Sequence, residues 1–210
     1  LDADIYGPSI PRMMGTLNQK PEVSNNLLVP LDVSGVQTLS MGNLVEEDLA
    51  IVWRGPMLFK AMQQFLFEVQ WDNIDILLID LPPGTGDIQL SLAQKIPLRG
   101  AIAVTTPQNI ALADVKKSID MFRRVNVPIL GVVENMSYYE AEGGTRVQMF
   151  PKGELESYLK KENLVKLGEI PLSPKISQAC EVGVPLLFKE DSPSTHAFIK
   201  VAEQVLAQFM

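Results

Sequence analysis

Short, dense runs of apolar residues alternate along this chain with longer stretches in which apolar positions recur at helical spacing. The densest run, NIDILLIDL at 73–81, carries a carboxylate, Asp80, near its end. Such a run predicts a strand that is buried on both faces, as in a parallel sheet. The runs at 100–104 and 127–133 repeat the pattern, and the run at 36–41 is a weaker version of it.

Three other stretches place apolar side chains on one face of a predicted helix. Their members are Leu58, Met62, Phe65, Leu66 and Val69; Leu112, Val115, Ile119 and Phe122; and Phe198, Val201, Ala202, Val205, Leu206 and Phe209. Because strands and helices alternate, the sequence predicts right-handed β-α-β crossovers and an α/β fold with a doubly wound, mainly parallel sheet flanked by helices. We expect a single domain over residues 1–210, with a mobile loop at the polar, glycine-containing stretch 140–146.

The bulk composition is that of an ordinary globular protein, with 46% hydrophobic and 20% charged residues among 210. The single cysteine, Cys180, cannot form a disulfide within the chain, which favours a reducing compartment, the cytoplasm or an organelle matrix. The formal net charge of −7 argues against general binding to DNA or anionic lipid. No apolar run approaches the roughly 20 residues that span a bilayer. Neither nucleic acid nor a membrane is therefore an expected partner.

Polar side chains follow several of the predicted strands. They are the pair Asp2 and Asp4, the stretch 80–87, and Glu134 with Asn135. In an open α/β sheet, ligands bind outside the carboxyl ends of the strands. The predicted fold would therefore bring these polar elements together at one edge of the sheet.

Asp80 ends its apolar run and is followed by LPPGTGD. A carboxylate in that place can hold the water shell of Mg²⁺, as a Walker B aspartate does. Gly84 and Gly86 would let backbone N–H groups approach a phosphate without a Cβ in the way. The alternative is a strand that ends in a Pro-Gly turn, with Asp87 capping the next helix. Capping is the preferred interpretation for Asp87 alone, and nucleotide binding is preferred for Asp80 with the PPGTG that follows.

Asp2 and Asp4 lie two residues apart in extended chain and so share one face of a strand or of its exit loop. A carboxylate there can orient or deprotonate the water that attacks a γ-phosphate. The alternative is an Asx turn leading into the residues that follow.

Four further residues each have a functional and a structural interpretation. The amide of Asn135 has the donor and acceptor that recognition of an adenine edge needs, but an asparagine after a strand is often a turn former. Arg54 is placed either to reach a phosphate or a partner carboxylate, or as a solvated residue before a proline-initiated helix. Cys180 and His196 are single residues for which packing is a sufficient explanation.

The chain contains no G-x-x-x-x-G-K-[ST] segment, the loop that cradles nucleotide phosphates. We therefore expect these 210 residues to bind ATP poorly or not at all. Residues 1–4 resemble the tail of a strand, and the sequence is expected to be a fragment that lacks the first strand, the phosphate loop and the first helix of its domain.

Five segments together carry a resemblance to a known family: LDADIYGPSIPRMMG, MGNLVEEDLAIVWRGPM, DILLIDLPPGTGD, TTPQNIALAD and GVVENMSYY. They resemble, in family order, the Mrp/ApbC branch of the MinD-like P-loop ATPases, which are implicated in assembling and delivering iron–sulfur clusters. The resemblance implies a deviant Walker A loop upstream of Leu1, ATP and Mg²⁺ as cofactors, a homodimer, and iron–sulfur assembly or recipient proteins as partners.

The resemblance also implies roles for individual residues. Asp4 would orient the attacking water, and Asp80 would hold Mg²⁺ through water. The nucleotide-binding residues would be Asp2, Gly84, Thr85, Gly86, Asp87, Asn135 and Pro171, with Asn135 and the segment 170–172 bordering the adenine.

One departure concerns the cluster. Typical members have a C-P-x-C pair after the ENMSY stretch, whereas this chain has YEAEGG at 139–144. Cluster iron is held mainly by thiolates, and Cys180 is not expected as a ligand because it lies far from that loop in sequence. We therefore expect this loop to supply no iron–sulfur ligand.

The leading hypothesis is an ATP-hydrolysing homodimer that serves iron–sulfur assembly. The alternative is a positioning switch of the MinD/ParA kind, which needs a basic membrane helix or a basic DNA-binding surface. The final stretch 196–210 has Lys200 as its only Lys or Arg, which favours the first hypothesis. A catalytically inactive scaffold is the third hypothesis.

Overall fold

The computed structural model describes residues 1–4, 7–44 and 63–209. The chain forms two compact units, Leu1–Pro83 with Ala179–Pro185, and Gly84–Gln178 with Leu186–Met210. A single domain over the whole chain stays a prediction. No helix among the described residues combines the length and the apolar character that crossing a membrane requires.

The first unit contains a short helix and two antiparallel hairpins. Its elements are α1 (Ile10–Met13), β1 (Glu22–Ser24), β2 (Leu27–Val29), β3 (Leu31–Val33) and β4 (Val36–Thr38), with β1 pairing β2 and β3 pairing β4. Its apolar core is formed by Leu39, Met41 and Phe65. Phe65 belongs to a helical stretch, 63–67, and is fully buried. Of the other predicted members of that helical face, Val69 packs partly buried against this core and Leu66 is partly buried, whereas Leu58 and Met62 lie outside the described residues.

Parallel bridges join Asp2 to Ser40 on one side and to Asp80 on the other. The Asp2 N–H donates to the carbonyl of Leu39 at 2.9 Å, and the Ala3 N–H donates to the carbonyl of Asp80 at 2.8 Å. The first residues of the chain therefore lie between the end of the β4 segment and the segment that contains Asp80.

The prediction of a buried strand at 73–81 is wrong. Apart from the single bridge at Asp80 the segment forms no ladder, and the exposed fractions of Ile76 and Leu78 are 48% and 68%. Its backbone pairs on one side with residues 1–3, and no second strand flanks it among the described residues of this unit. A dense apolar run indicates what a segment can bury, but burial also needs neighbours on both sides.

The second unit contains the parallel sheet. Its elements are α2 (Asp87–Lys95), β5 (Ala101–Thr105), α3 (Asn109–Arg124), β6 (Ile129–Glu134), β7 (Tyr139–Glu140), β8 (Arg146–Val147), α4 (Leu155–Glu162), β9 (Lys166–Glu169), α5 (Pro174–Val182, which ends in the first unit) and α6 (Pro193–Leu206). The strand order is β5-β6-β9, and all three strands run parallel. The strands predicted at 100–104 and 127–133 are thus confirmed as β5 and β6.

Helices cover both faces of this sheet. Val132 packs in a cluster with Leu112, Ile119 and Leu155 from α3 and α4. Val133, the next residue of β6, packs instead in a cluster with α6 residues. Successive side chains of a strand point to opposite faces, so α3 and α4 lie on one face and α6 on the other.

The predicted helical faces of α3 and α6 are largely confirmed. Leu112, Val115 and Ile119 are buried, and Phe122 packs partly buried in a neighbouring cluster. Along α6 the packed residues include Phe198, Val201 and Val205, whereas Ala202 and Leu206 are exposed.

The polar stretch 140–146 forms a short hairpin. Tyr139 pairs with Val147 and Glu140 pairs with Arg146, so that β7 and β8 enclose a single 3-10 turn, Glu142–Gly144. Gly143 and Gly144 have φ values of 82° and 80°, a left-handed conformation that favours glycine. The two glycines that suggested a loop thus form the tip of a hairpin.

Candidate functional site

The carboxylates of Asp2, Asp4 and Asp80 are brought together in the first unit. Asp2 and Asp80 are bridge partners, and Asp4 follows Asp2 by two residues. The pKa of Asp80 is raised, first by partial desolvation and then by the negative charges of Asp2 and Asp4. Neighbouring carboxylates that raise the pKa of Asp80 form a site that favours a cation. The structure therefore places the predicted magnesium residue beside the predicted water-orienting residue.

Asp2 itself is a buried structural residue, with 1% of its surface exposed. Its Oδ1 accepts from the Asp4 N–H at 3.1 Å, and its Oδ2 accepts from Ser40 Oγ at 2.8 Å and from the Ile10 N–H at 3.3 Å. Burial raises the pKa of Asp2, although these three hydrogen bonds oppose the rise. The bond to Asp4 is the Asx turn of the alternative interpretation. Direct contact between Asp2 and a nucleotide stays a prediction.

Asp4 is half-buried and follows the bridge residue Asp2 by two positions. Its Oδ1 accepts from the Gly7 N–H at 3.2 Å. The backbone of Asp4 is held by the bond from its N–H to Asp2, and its carboxylate is held by the bond from Gly7. Its catalytic role stays a prediction.

The segment after Asp80 enters the second unit at Gly84. Gly84 has a φ of +96°, which favours glycine, and Gly84, Thr85 and Gly86 are exposed. Gly86 occupies the N-cap position of α2, and Asp87 is the first helical residue. The prediction that Asp87 caps this helix is therefore displaced by one residue. The backbone N–H groups at the start of a helix, here the nine-residue α2, are a suitable environment for an anion.

The carboxyl ends of β5, β6 and β9 are aligned, with Thr105 opposite Glu134 and Glu134 opposite Glu169. Asn135 follows immediately, and its N–H donates to the Thr105 carbonyl at 2.7 Å. Asn135 Oδ1 accepts from the Met136 N–H at 2.9 Å. The side-chain oxygen of Asn135 thus takes part in the turn, as the turn-forming interpretation predicted.

Pro171 lies beside this turn. The Ile170 N–H donates to the Glu134 carbonyl at 2.9 Å, and the Ser137 N–H donates to the Ile170 carbonyl at 3.0 Å. These bonds on either side of Asn135 bring the buried Pro171 next to the asparagine turn. The two residues predicted to border the adenine are therefore neighbours in the second unit.

An ion network below this turn was missed by the sequence analysis. Lys166 Nζ lies 2.5 Å from Glu134, 2.7 Å from Glu156 and 2.5 Å from Glu169. Burial lowers the pKa of Lys166, but the hydrogen bonds to the three glutamates raise it well above its ordinary value. The carboxylate oxygens lie within 4.8 Å of one another, as cation ligands do, and the Lys166 ammonium supplies the cation. Only the polar Glu134 at the strand end gave any sequence signal of this network.

The remaining candidates do not join these groups. Arg54 lies outside the described residues. Cys180 is partly buried in α5. His196 Nε2 lies 2.6 Å from the exposed Asp191. Neither Cys180 nor His196 belongs to a grouping of three metal-ligating side chains in the described part of the chain.

Two relatives are similar over almost all of this chain. One is the iron-sulfur cluster carrier protein of Aquifex aeolicus, 44% identical over 99% of this chain and 58% of that protein. The other is the iron-sulfur cluster transfer protein NUBPL of Mus musculus, 44% identical over 98% of this chain and 65% of that protein. The chain therefore spans less than two thirds of the length of either relative.

Two solved structures are similar to the chain. A nucleotide-binding protein from Archaeoglobus fulgidus, in complex with ADP, has a TM-score of 0.76 and 33% identity, and the match covers 90% of this chain and 75% of that one. The cell division ATPase MinD of Pyrococcus furiosus has a TM-score of 0.62 at 20% identity over 99% of this chain and 84% of that one, which shows the fold alone. The predicted doubly wound, MinD-like fold is confirmed.

The family match covers nearly the whole sequence. Over residues 1–206 the chain matches the ParA family, described as NUBPL iron-transfer P-loop NTPase. Together with the relatives that share 44% of their aligned residues with it, this match shows that the chain belongs to that family of P-loop NTPases.

Proposed function

We propose that this chain is the greater part of the nucleotide-dependent domain of an iron–sulfur cluster carrier. The observation that supports this most strongly is the 44% identity, over 98–99% of the chain, to proteins named as iron–sulfur cluster carrier and transfer proteins. The placement of Asp4 beside Asp80 supports a hydrolytic role for the nucleotide site.

In this proposal Asp80 would hold Mg²⁺ through its water shell. The fit rests on the grouping of three carboxylates, because partial desolvation and then the charges of Asp2 and Asp4 raise the pKa of Asp80 and favour a bound cation. Magnesium, when bound, neutralises charge on the nucleotide phosphates. Asp4 orients the attacking water and accepts its proton, while Asp2 holds the backbone of Asp4 in place.

Within the second unit we infer further nucleotide contacts. The N–H groups of the exposed residues Gly84, Thr85 and Gly86 would face phosphate oxygens, and Asp87 adjoins them at the start of α2. The amide of Asn135, held in its turn by the Met136 N–H, and the ring of Pro171 border the adenine.

The cluster is cargo, and the donor set of this chain does not fit it without help. Cluster iron is held by thiolates, and the 210 residues contain one cysteine. We infer that partner proteins, either assembly factors or recipients, supply thiols, and that ATP drives a homodimer between binding and release. Such thiol chemistry belongs to a reducing compartment, the cytoplasm or an organelle matrix.

The test uses the whole protein, because the 210 residues contain no phosphate-loop motif. ATP turnover and cluster transfer to an apo acceptor protein are measured with and without Mg²⁺, for the wild type, Asp80→Ala and the control Asp75→Ala. Asp75 is an exposed carboxylate of the same segment. We expect Asp80→Ala to remove most turnover and Asp75→Ala to retain it. Full turnover by Asp80→Ala would overturn the assignment of Asp80.

A further inference from the structure

A cavity of about 170 Å³ lies in the second unit at the base of the β7–β8 hairpin. Its walls come from the turn after β6, from β8 and the residues that follow it, and from the end of β9. The lining residues are Ser137, Tyr138, Arg146, Gln148, Lys152 and Glu169. None of them belongs to the nucleotide site proposed above.

The walls of the cavity are held in place by contacts of the hairpin. The Arg146 guanidinium stacks over the Tyr138 ring, with 4.0 Å between the guanidinium carbon and the ring centroid. Gln148 Nε2 donates to the Ser137 carbonyl at 2.9 Å. Tyr138 and Ser137 are themselves buried. Because a stacked guanidinium is already ordered, it loses little conformational freedom when it binds a ligand.

Positive charge in the cavity is only partly neutralised. Glu169 is the one carboxylate of the lining. It lies 2.5 Å from Lys166 and, at a longer distance of 3.8 Å, also pairs with Arg146. Lys152 makes no ion pair within 4.0 Å in the part of the chain that the structure describes. Burial raises the pKa of Glu169, but Lys166, with smaller contributions from Lys152 and Arg146, brings it below its ordinary value. Arg146 therefore shares Glu169 with Lys166, and Lys152 is the lining cation that has no carboxylate within 4.0 Å among the described residues.

The size of the cavity limits what it can hold. Pockets for drug-sized ligands are about 300–1,000 Å³, whereas a cavity of about 150 Å³ holds a molecule such as benzene. The volume of this cavity lies below the range for drug-sized ligands and suits a phosphate ion or a small carboxylate. Guanidinium groups bind both kinds of oxyanion through paired hydrogen bonds.

We propose that this cavity is a binding site for a small oxyanion, a phosphate or a carboxylate group, held by Arg146 and Lys152. The site shares no residue with the proposed ATP site, although the Ser137 N–H donates to the carbonyl of Ile170 in the segment proposed to border the adenine. Phosphate and malonate are the two probes, since they represent the two sources of the same charge and hydrogen-bonding pattern.

Isothermal titration calorimetry of the whole protein, saturated with ADP so that the nucleotide site is filled, tests the proposal. Phosphate and malonate are titrated at matched ionic strength, with chloride as the reference salt. We expect saturable binding of at least one probe. Loss of one charged donor should weaken it roughly tenfold or more, so Arg146→Gln and Lys152→Gln should both bind poorly.

Lys160→Gln is the matched control, because Lys160 is an exposed lysine of α4 that does not line the cavity. Lys152 lies outside the paired strands, so Lys152→Gln decides the question even if Arg146→Gln disturbs the hairpin. No saturable heat with either probe, or equal affinity in the wild type and Lys152→Gln, would overturn the proposal.

Discussion

Lys166 Nζ lies 2.5 Å from the Glu134 carboxylate, and this contact joins the first residue of β9 to the last residue of β6. The side chains of Lys166 and Glu134 are 19% and 6% exposed. Asn135, the proposed adenine contact, is the next residue along the chain. The ion pair therefore stabilises the strand ends that carry the asparagine turn.

Replacing Lys166 by methionine should lower the free energy of unfolding by about 3 kcal/mol, since removing one partner of a buried pair leaves the other charge uncompensated. Here three glutamates lose their common cation. Urea unfolding measures the change. Lys160→Met, at an exposed position, should stay within about 0.5 kcal/mol of the wild type. A similar loss in both variants would show that the network contributes nothing specific.

The close contact of Gly15 and Gly183 in the first unit provides a second prediction. A Cβ on Gly183 would lie 2.6 Å from the Gly15 Cα and 2.9 Å from its nitrogen, and Gly183 has a φ of +74°. Backbone atoms cannot move aside as a flexible side chain can. Gly183→Ala should therefore cost about 2–4 kcal/mol, the sum of left-handed strain and overpacking.

Gly35 is the control for the strain alone, because its φ is +84° and no atom lies within 4 Å of a Cβ built there. Gly35→Ala should cost about 1–2 kcal/mol. Both variants are compared with the wild type by chemical denaturation. Equal losses of unfolding free energy at the two positions would mean that the backbone at Gly15 moves aside and that overpacking does not contribute.

Asp2 and Asp80 should respond to substitution in opposite ways. Asp2→Ala removes the acceptor of three hydrogen bonds and should lower the free energy of unfolding by about 2 kcal/mol. Asp80→Asn removes a charge that Asp2 and Asp4 repel, so stability should stay the same or rise. Thermal and urea unfolding of the two variants compare them directly. A large loss of stability in Asp80→Asn would indicate a structural role instead of a cation-binding role.

Local patterns predicted the parts of the fold whose packing partners are close in sequence. The strands β5 and β6 and the apolar face of α3 fall into this group. The run at 73–81 was mispredicted as buried because apolar composition does not identify the neighbours that cover a strand. The residues at 140–146 suggested a loop because they include two glycines and two acidic residues. The same composition is also typical of the tip of a hairpin, which is what the structure has there.

The candidate site was predictable to a similar degree. Asp4 and Asp80 were identified from their positions after extended segments, and the structure places them together. Lys166 was not, because the glutamates it binds come from β6, α4 and β9, and no short-range spacing links them. Charge pairs between distant segments depend on tertiary packing, which a single sequence does not display.

The last prediction concerns the cluster: this 210-residue chain should hold no stable [4Fe–4S] cluster by itself. Such a cluster is usually anchored by four thiolates, and a homodimer would offer only two copies of Cys180. Anaerobic reconstitution with iron and sulfide, followed by absorbance near the cluster charge-transfer bands and by iron counting, measures binding. Wild type and Cys180→Ser should give the same low iron content. Near-stoichiometric cluster that disappears in Cys180→Ser would contradict the prediction and make Cys180 a ligand.

Adding a thiol-bearing partner should raise the iron content if ligands come from outside. The same series on the whole protein would separate partner thiols from any that other segments contribute.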